Sequence, residues 1–261
     1  MNGLRDKRII IIGANGCLGQ ALASRLLAEN CRLVLVDLDT TALPENAPTD
    51  ACFSLVADVR EAEQVSKIMT YAEEKLGGID GLVNMAAILM PEDAALETPQ
   101  AVFDASLATN LTGTFLTCQA ALPYLLKGQQ GAIVNLSSVV AHAASATAQL
   151  AYTSAKGGIE ALTREIAMAY ARQGIRANCV APGPVLSERN QHYFDNEEKW
   201  QSRRQHIPMG RLGKADEIAG TIAFLLSDDA GYITGTSILA DGGIANAYVI
   251  KDENGDATPN G

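Results

Sequence analysis

The chain of 261 residues is 48% apolar and 19% charged, which excludes a disordered or fibrous protein and leaves length for one large α/β domain with a sizeable core. Thirty acidic against twenty basic residues give a formal charge of −10, which repels phosphate backbones and argues against nucleic-acid binding. No apolar run reaches the ~20 residues of a membrane span, no signal peptide is visible, and Cys17, Cys31, Cys52, Cys118 and Cys179 form neither a disulfide framework nor a zinc motif, so a cytoplasmic protein with no membrane partner is expected.

Along the chain, short apolar runs alternate with segments of helical period. Residues 9–12, 33–36, 53–57, 82–83, 133–136, 177–180 and 238–240 read as strands buried on both faces, because none shows polar alternation. Val65, Ile68, Met69, Ala72 and Leu76 share one helical stripe, and Ala155, Ile159, Leu162, Ile166 and Ala169 another. The pattern predicts an α/β, doubly wound Rossmann-type parallel sheet of about seven strands with helices on both faces. With no linker or internal repeat, residues 1–261 read as a single dinucleotide-binding and catalytic domain. Residues 186–208 are polar, follow a strand's carboxyl end and are a candidate substrate lid, while the polar tail 244–261 is expected to fray unless a neighbouring subunit holds it.

Three local patterns suggest chemistry. After the first strand, Gly13-Ala14-Asn15-Gly16-Cys17-Leu18-Gly19 leads into a helical run, the arrangement in which glycines let the backbone approach a pyrophosphate at a helix amino end. Asp37 ends the second strand, where a carboxylate accepts ribose hydroxyls and repels a 2′-phosphate, so the cofactor expected is NAD rather than NADP. The bland alternatives are a tight turn and a solvated acid. Further on, Tyr152 and Lys156 stand four apart on one helix face. A phenol of pKa ~10 beside an ammonium is lowered toward a useful acid/base for alcohol and ketone chemistry, although the same spacing is often an ordinary surface pair. Ser137 and Ser138 end the strand upstream, where a hydroxyl can hold the substrate oxygen or simply form a turn.

Together these residues resemble the short-chain dehydrogenase/reductase family, in its single-domain branch, over about residues 7–243. The likeness is carried by the glycine loop, Asp37, Asp58-Val59, Asn84, Asn110 in Thr-Asn-Leu-Thr-Gly, Ser138, Tyr152 with Lys156, Pro182-Gly183-Pro184-Val185, and Ile233-Thr234-Gly235 leading to Asp241-Gly242-Gly243. It implies that Tyr152 exchanges the substrate proton, that Lys156 binds the nicotinamide ribose and depresses the tyrosine pKa, that Ser138 holds the substrate oxygen, and that Asn110 anchors a water. Gly13, Asn15, Gly16, Cys17, Leu18, Gly19, Asp37, Asp58, Val59, Asn84, Ala86, Val185 and Ser187 are the implied cofactor contacts, along with Tyr152 and Lys156. A homo-tetramer or homo-dimer is implied, with Leu111, Phe115, Cys118 and Leu122 as one stripe suited to a partner helix or to the core.

Several positions depart from the family's pattern. The middle glycine is Gly16, with Cys17 where glycine is usual, and a thiol beside a helix amino end is expected to have a lowered pKa and to be oxidisable. Met85 and Ala87 replace Asn and Gly, Ser187 replaces Thr, and the stretch from Ser138 to Tyr152 is longer than in many relatives, so an insertion is placed at 142–150. Ser137 is the alternative to Ser138, which is preferred because Val139-Val140-Ala141 follows it. His142 near the site is a candidate for substrate recognition, as are Arg189, His192 and His206 in the lid; solvated surface residues would look the same. Asp195, Glu197 and Glu198 read as a solvated face, and no metal-site spacing occurs. The activity implied is NAD-dependent interconversion of a small-molecule secondary alcohol and a ketone. The alternatives are an NADPH-dependent 3-oxoacyl-type reductase, suggested by Ile207-Pro208-Met209-Gly210-Arg211, and a non-catalytic dinucleotide-binding sensor.

Overall fold

Four consecutive isoleucines place β1 (Arg8–Ile12) at the centre of the molecule, because side chains alternate across a strand and here both faces are apolar. In the computed structural model, which describes residues 1–39, 43–44, 47–91, 93–128, 130–144, 147–187, 191 and 196–247, Ile9 and Ile11 face one layer and Ile10 and Ile12 the other. The first layer is α1 (Cys17–Ala28) with α7 (Ala215–Leu226), contributing Leu22, Leu26, Ile218 and Ile222. The second is α2 (Ala62–Leu76), α4 (Gly113–Leu125) and α5 (Leu150–Tyr170), contributing Ile68, Met69, Leu125 and Ile166. Each such Leu or Ile withdrawn from water contributes roughly 1.5–3 kcal/mol.

The remaining strands are β2 (Arg32–Asp37), β3 (Cys52–Val56), β4 (Gly81–Asn84), β5 (Gly131–Leu136), β6 (Ile175–Pro182) and β7 (Ser237–Ala240). All pair in parallel in the order β3-β2-β1-β4-β5-β6-β7. The order reverses between β1 and β4, and the crevice beyond their carboxyl ends is where an open α/β sheet receives a ligand. Two shorter helices complete the described frame, α3 (Gln100–Leu107) before α4 and α6 (Glu197–Arg204) after β6.

The seven predicted strands are all present, but burial on both faces holds only for the inner ones. β3 and β7 are the sheet edges; every residue of β7 is half-buried and Val56 in β3 is 54% exposed, since an edge strand lacks a neighbour on one side. On α5 the core-facing stripe runs through Ala155, Ile159, Thr163, Ile166 and Ala167, whereas Leu162 is half-buried and Ala169 exposed. The expected stripe on α4 also divides: Cys118 and Leu122 enter the core while Phe115 is 43% exposed. A π turn, Ala108–Thr112, joins α3 to α4 and was not foreseen; such turns insert a residue and recur at functional sites.

Candidate active site

The three loop glycines act differently. Gly13 adopts φ +83°, and a Cβ there would stand 2.5 Å from the Ala86 backbone nitrogen, so only glycine lets β1 and the segment after β4 meet. A Cβ on Gly19 would lie 2.6 Å from the Ala14 carbonyl oxygen, which fixes close packing of α1 on the loop. Gly16 caps α1 with no side chain, and the nearest atom to a Cβ there is 3.9 Å away. Its backbone is therefore open to an incoming anion at the positive end of the helix.

Asp37 stands beside this loop at the end of β2. Its Oδ2 accepts the Asn15 amide and its Oδ1 the Leu38 amide, each at 2.8 Å, and each oxygen keeps a further lone pair for a ligand hydroxyl. A cleft of about 340 Å³ opens here, and of the expected cofactor contacts Gly13, Asn15, Gly16, Asp37, Asp58, Val59 and Ala86 line it. Both Asp58 oxygens are clamped by Arg60, whose guanidinium holds the carboxyl below its ordinary pKa. The donor groups, the open glycine and the carboxylate fit the adenosine and pyrophosphate of a dinucleotide.

Other expected contacts are placed differently. Leu18 is half-buried against the α1 side of the core. The Asn84 side chain turns into the core, donating to Asn135 Oδ1 at 2.9 Å and accepting from the Thr117 hydroxyl at 2.8 Å, so these bonds hold it away from the cleft. Asn135 donates onward to Thr163, tying β4 and β5 to α5. Val185 bridges to Gly213, and Ser187 is half-buried at the end of the described stretch. Cys17 is exposed, but desolvation of its sulfur outweighs the bonds from the helix amides and raises the thiol pKa, which corrects the expectation of a lowered one.

Further along the carboxyl edge of the sheet, beside the end of β5, α5 carries Tyr152 and Lys156 on successive turns. The Lys156 Nζ lies 5.4 Å from the centre of the Tyr152 ring. Lys156 is 2% exposed, its Nζ donates to the Leu136 carbonyl at 2.7 Å, and burial pushes its pKa down to about 8. The two serines separate cleanly. Buried Ser137 donates to the Lys156 carbonyl at 3.2 Å, whereas half-buried Ser138 caps the short turn Val139–Ala141 through the Val140 amide. Asn110, in the π turn, is fully buried and grips Ile88 at both its amide (2.7 Å) and its carbonyl (2.9 Å).

His142 is paired with α5: its Nε2 lies 2.8 Å from Glu160 Oε1, which also accepts the Ser237 hydroxyl at 2.7 Å. Arg189, His192 and Asp195, the Glu198 side chain, and residues 248–261 of the tail lie outside the described residues. Sequence reasoning missed Glu160 and Asp93, a buried acid whose carboxylate meets the first turn of α5; neither belongs to a local motif. Among the described residues no acidic, cysteine or histidine group could hold a metal ion, and no helix is long and apolar enough to cross a membrane.

Residues 13–245 match a family model described as enoyl-(acyl carrier protein) reductase. Levodione reductase of Leifsonia aquatica is 36% identical over 256 residues, covering 93% of this chain and 96% of that one. The 2-(S)-hydroxypropyl-CoM dehydrogenase 3 of Xanthobacter autotrophicus is 36% identical over 252 residues, covering 93% of this chain and 98% of that one. A crystal structure of levodione reductase matches with a TM-score of 0.86 at 36% identity, over 94% of this chain and 99% of the other.

Proposed function

The chain belongs to the short-chain dehydrogenase/reductase family of oxidoreductases acting on CH–OH groups with a nicotinamide dinucleotide, and we propose that it uses NAD to interconvert a secondary alcohol and a ketone with Tyr152 as general acid/base. The observation that carries this reading is the buried Lys156 ammonium 5.4 Å from the Tyr152 ring and 2.7 Å from the Leu136 carbonyl at the carboxyl end of β5, the sheet edge that also bears the open glycine and Asp37. Lowering a phenol from pKa ~10 to neutrality takes roughly 4 kcal/mol, within reach of a close cation in a site of low dielectric.

In the oxidation direction the Tyr152 oxygen receives the proton of the substrate hydroxyl, and in reduction it returns one to the carbonyl oxygen. Ser138 orients that substrate oxygen. Lys156 stabilises the phenolate and binds the nicotinamide ribose, with its own direction fixed by the Leu136 carbonyl. Asn110 contributes by holding the Ile88 backbone at the cleft wall. When bound, the nicotinamide supplies the two-electron exchange with the carbinol carbon. Residues 186–208 act as the substrate lid. Exposed Phe115 and Met168 on α4 and α5 support assembly into a homo-tetramer or homo-dimer, and five free cysteines suit a reducing cytoplasm.

Fluorescence titration with NADH and with NADPH tests the cofactor assignment. Tighter NADH binding is expected, because the Asp37 carboxylate repels a 2′-phosphate; tighter NADPH binding overturns the assignment. Turnover of a secondary-alcohol and ketone panel headed by 2-hydroxypropyl-CoM and levodione tests the reaction, and no turnover of any member with either cofactor speaks for a silent dinucleotide binder.

A further inference from the structure

Helix α5 has no cap of its own. Gln149 precedes it and its side chain bonds none of the free amides of the first turn. Those bonds come from 58 residues away: Asp93, between β4 and α3, accepts the Ala151 amide on Oδ1 and the Tyr152 amide on Oδ2, both at 3.0 Å. The Thr98 hydroxyl donates to the same Oδ1 at 3.0 Å and itself accepts the Ala94 amide at 2.9 Å, which makes a closed local frame around the carboxylate. Asp93 is 5% exposed, and a carboxylate so buried is retained only where donors satisfy it; here three donors and the positive end of α5 do so.

The same segment is fixed at its other end, where Asn110 grips both backbone groups of Ile88 and Ala86 meets Gly13. The wall of the dinucleotide cleft and the first turn of α5 are thus two anchorages of one short stretch of chain. One of the two amides Asp93 holds belongs to Tyr152 itself, so the carboxylate sets the backbone from which the phenol projects. Resting on the reading of Tyr152 as acid/base, we infer that Asp93 is a positioning residue for Tyr152, fixing the catalytic turn relative to the cofactor wall. Its contribution falls on the chemical step rather than on cofactor binding, because its bonds go to α5 and to its own loop, not to the cleft.

The test uses full-length Asp93→Ala and Asp93→Asn, with Tyr152→Phe in parallel, at a temperature where circular dichroism shows each to be folded. Removing the carboxylate is expected to lower kcat by about tenfold to a hundredfold, the penalty of a reacting group displaced by a fraction of an ångström, on the best-turned-over alcohol of the panel. NADH affinity stays within twofold of the parent, and amide exchange rises in the peptide containing Ala151 and Tyr152. Asp93→Asn, which keeps one acceptor, restores part of kcat and serves alone if the alanine variant does not fold. A kcat within twofold of the parent, even with a lowered melting temperature, overturns the inference and leaves a merely structural cap. So does a loss of kcat that only mirrors lost NADH affinity. Undiminished turnover by Tyr152→Phe refutes instead the reading on which the inference rests.

Discussion

Lys156 meets two opposed demands. Its burial drives the ammonium toward neutrality, lowering its pKa to about 8, whereas only the charged form biases the neighbouring phenol. Because the folded pKa lies below the unfolded value near 10.4, the unfolded chain binds more protons between those values. The burial therefore penalises stability at neutral pH, and the penalty is relieved as pH rises from about 8 toward 10.4. Replacing the group with an apolar chain of similar length removes the penalty together with the chemistry. Lys156→Met is expected to hold or raise the melting temperature while kcat/KM falls by about a hundredfold or more, the usual worth of an acid/base device. A variant that melts lower and turns over normally would assign Lys156 to structure. Tyr152 and Lys156 were legible in the sequence because helical spacing alone brings such side chains together. Asp93 was not, since its partners lie on a different element and no local spacing encodes them.

At the scale of elements, the strands were readable from apolar runs, because inner strands of a parallel sheet face a helix layer on each side. The same rule misjudged β3 and β7, whose edge positions follow from strand order, which no single segment contains. The π turn at Asn110 was likewise invisible, because no residue type marks the wider turn that absorbs the inserted residue. The base of the sheet offers a test of how its elements are joined. Arg8 opens β1 and forks onto Asp80 just before β4, with Nε to Oδ2 at 2.7 Å, a second nitrogen to Oδ1 at 2.6 Å, and the Arg8 amide to Oδ2 at 2.9 Å. Burial alone would raise the Asp80 pKa, but the Arg8 hydrogen bonds and charge outweigh it and hold the carboxyl below its ordinary value. A depressed carboxylate stabilises the fold above the unfolded pKa of about 3.9, and that stability is lost as pH falls through the folded value. Asp80→Asn should cost about 1–3 kcal/mol at pH 7 in denaturant unfolding, and the gap from the parent should close below about pH 3.9. A gap that persists at acid pH would mean that shape, not charge, joins these strands.

For the molecule as a whole, two apolar layers clamp one sheet, and four of the five cysteines are buried, Cys31, Cys52 and Cys118 in those layers and Cys179 within β6, while Cys17 alone is exposed. Native protein treated with iodoacetamide should gain a single label, at Cys17, and slowly because that thiol pKa is raised; unfolded protein should gain all five. Rapid native labelling at Cys31 or Cys118 would contradict the packing described. The carboxyl edge of the sheet unites pieces that the sequence presents far apart: the glycine loop and Asp37 at the reversal between β1 and β4, and the α5 pair beside the end of β5. Each piece was weak alone and informative in order, whereas which side chains turn inward, as Asn84 does, depends on neighbours three elements away. The claim beneath all of this is that Tyr152 moves the proton while Lys156 tunes it, and steady-state turnover of Tyr152→Phe at saturating NAD measures it most directly. The account predicts a loss of about 10²–10⁴ in kcat with NADH affinity unchanged. Turnover equal to the parent's would contradict it.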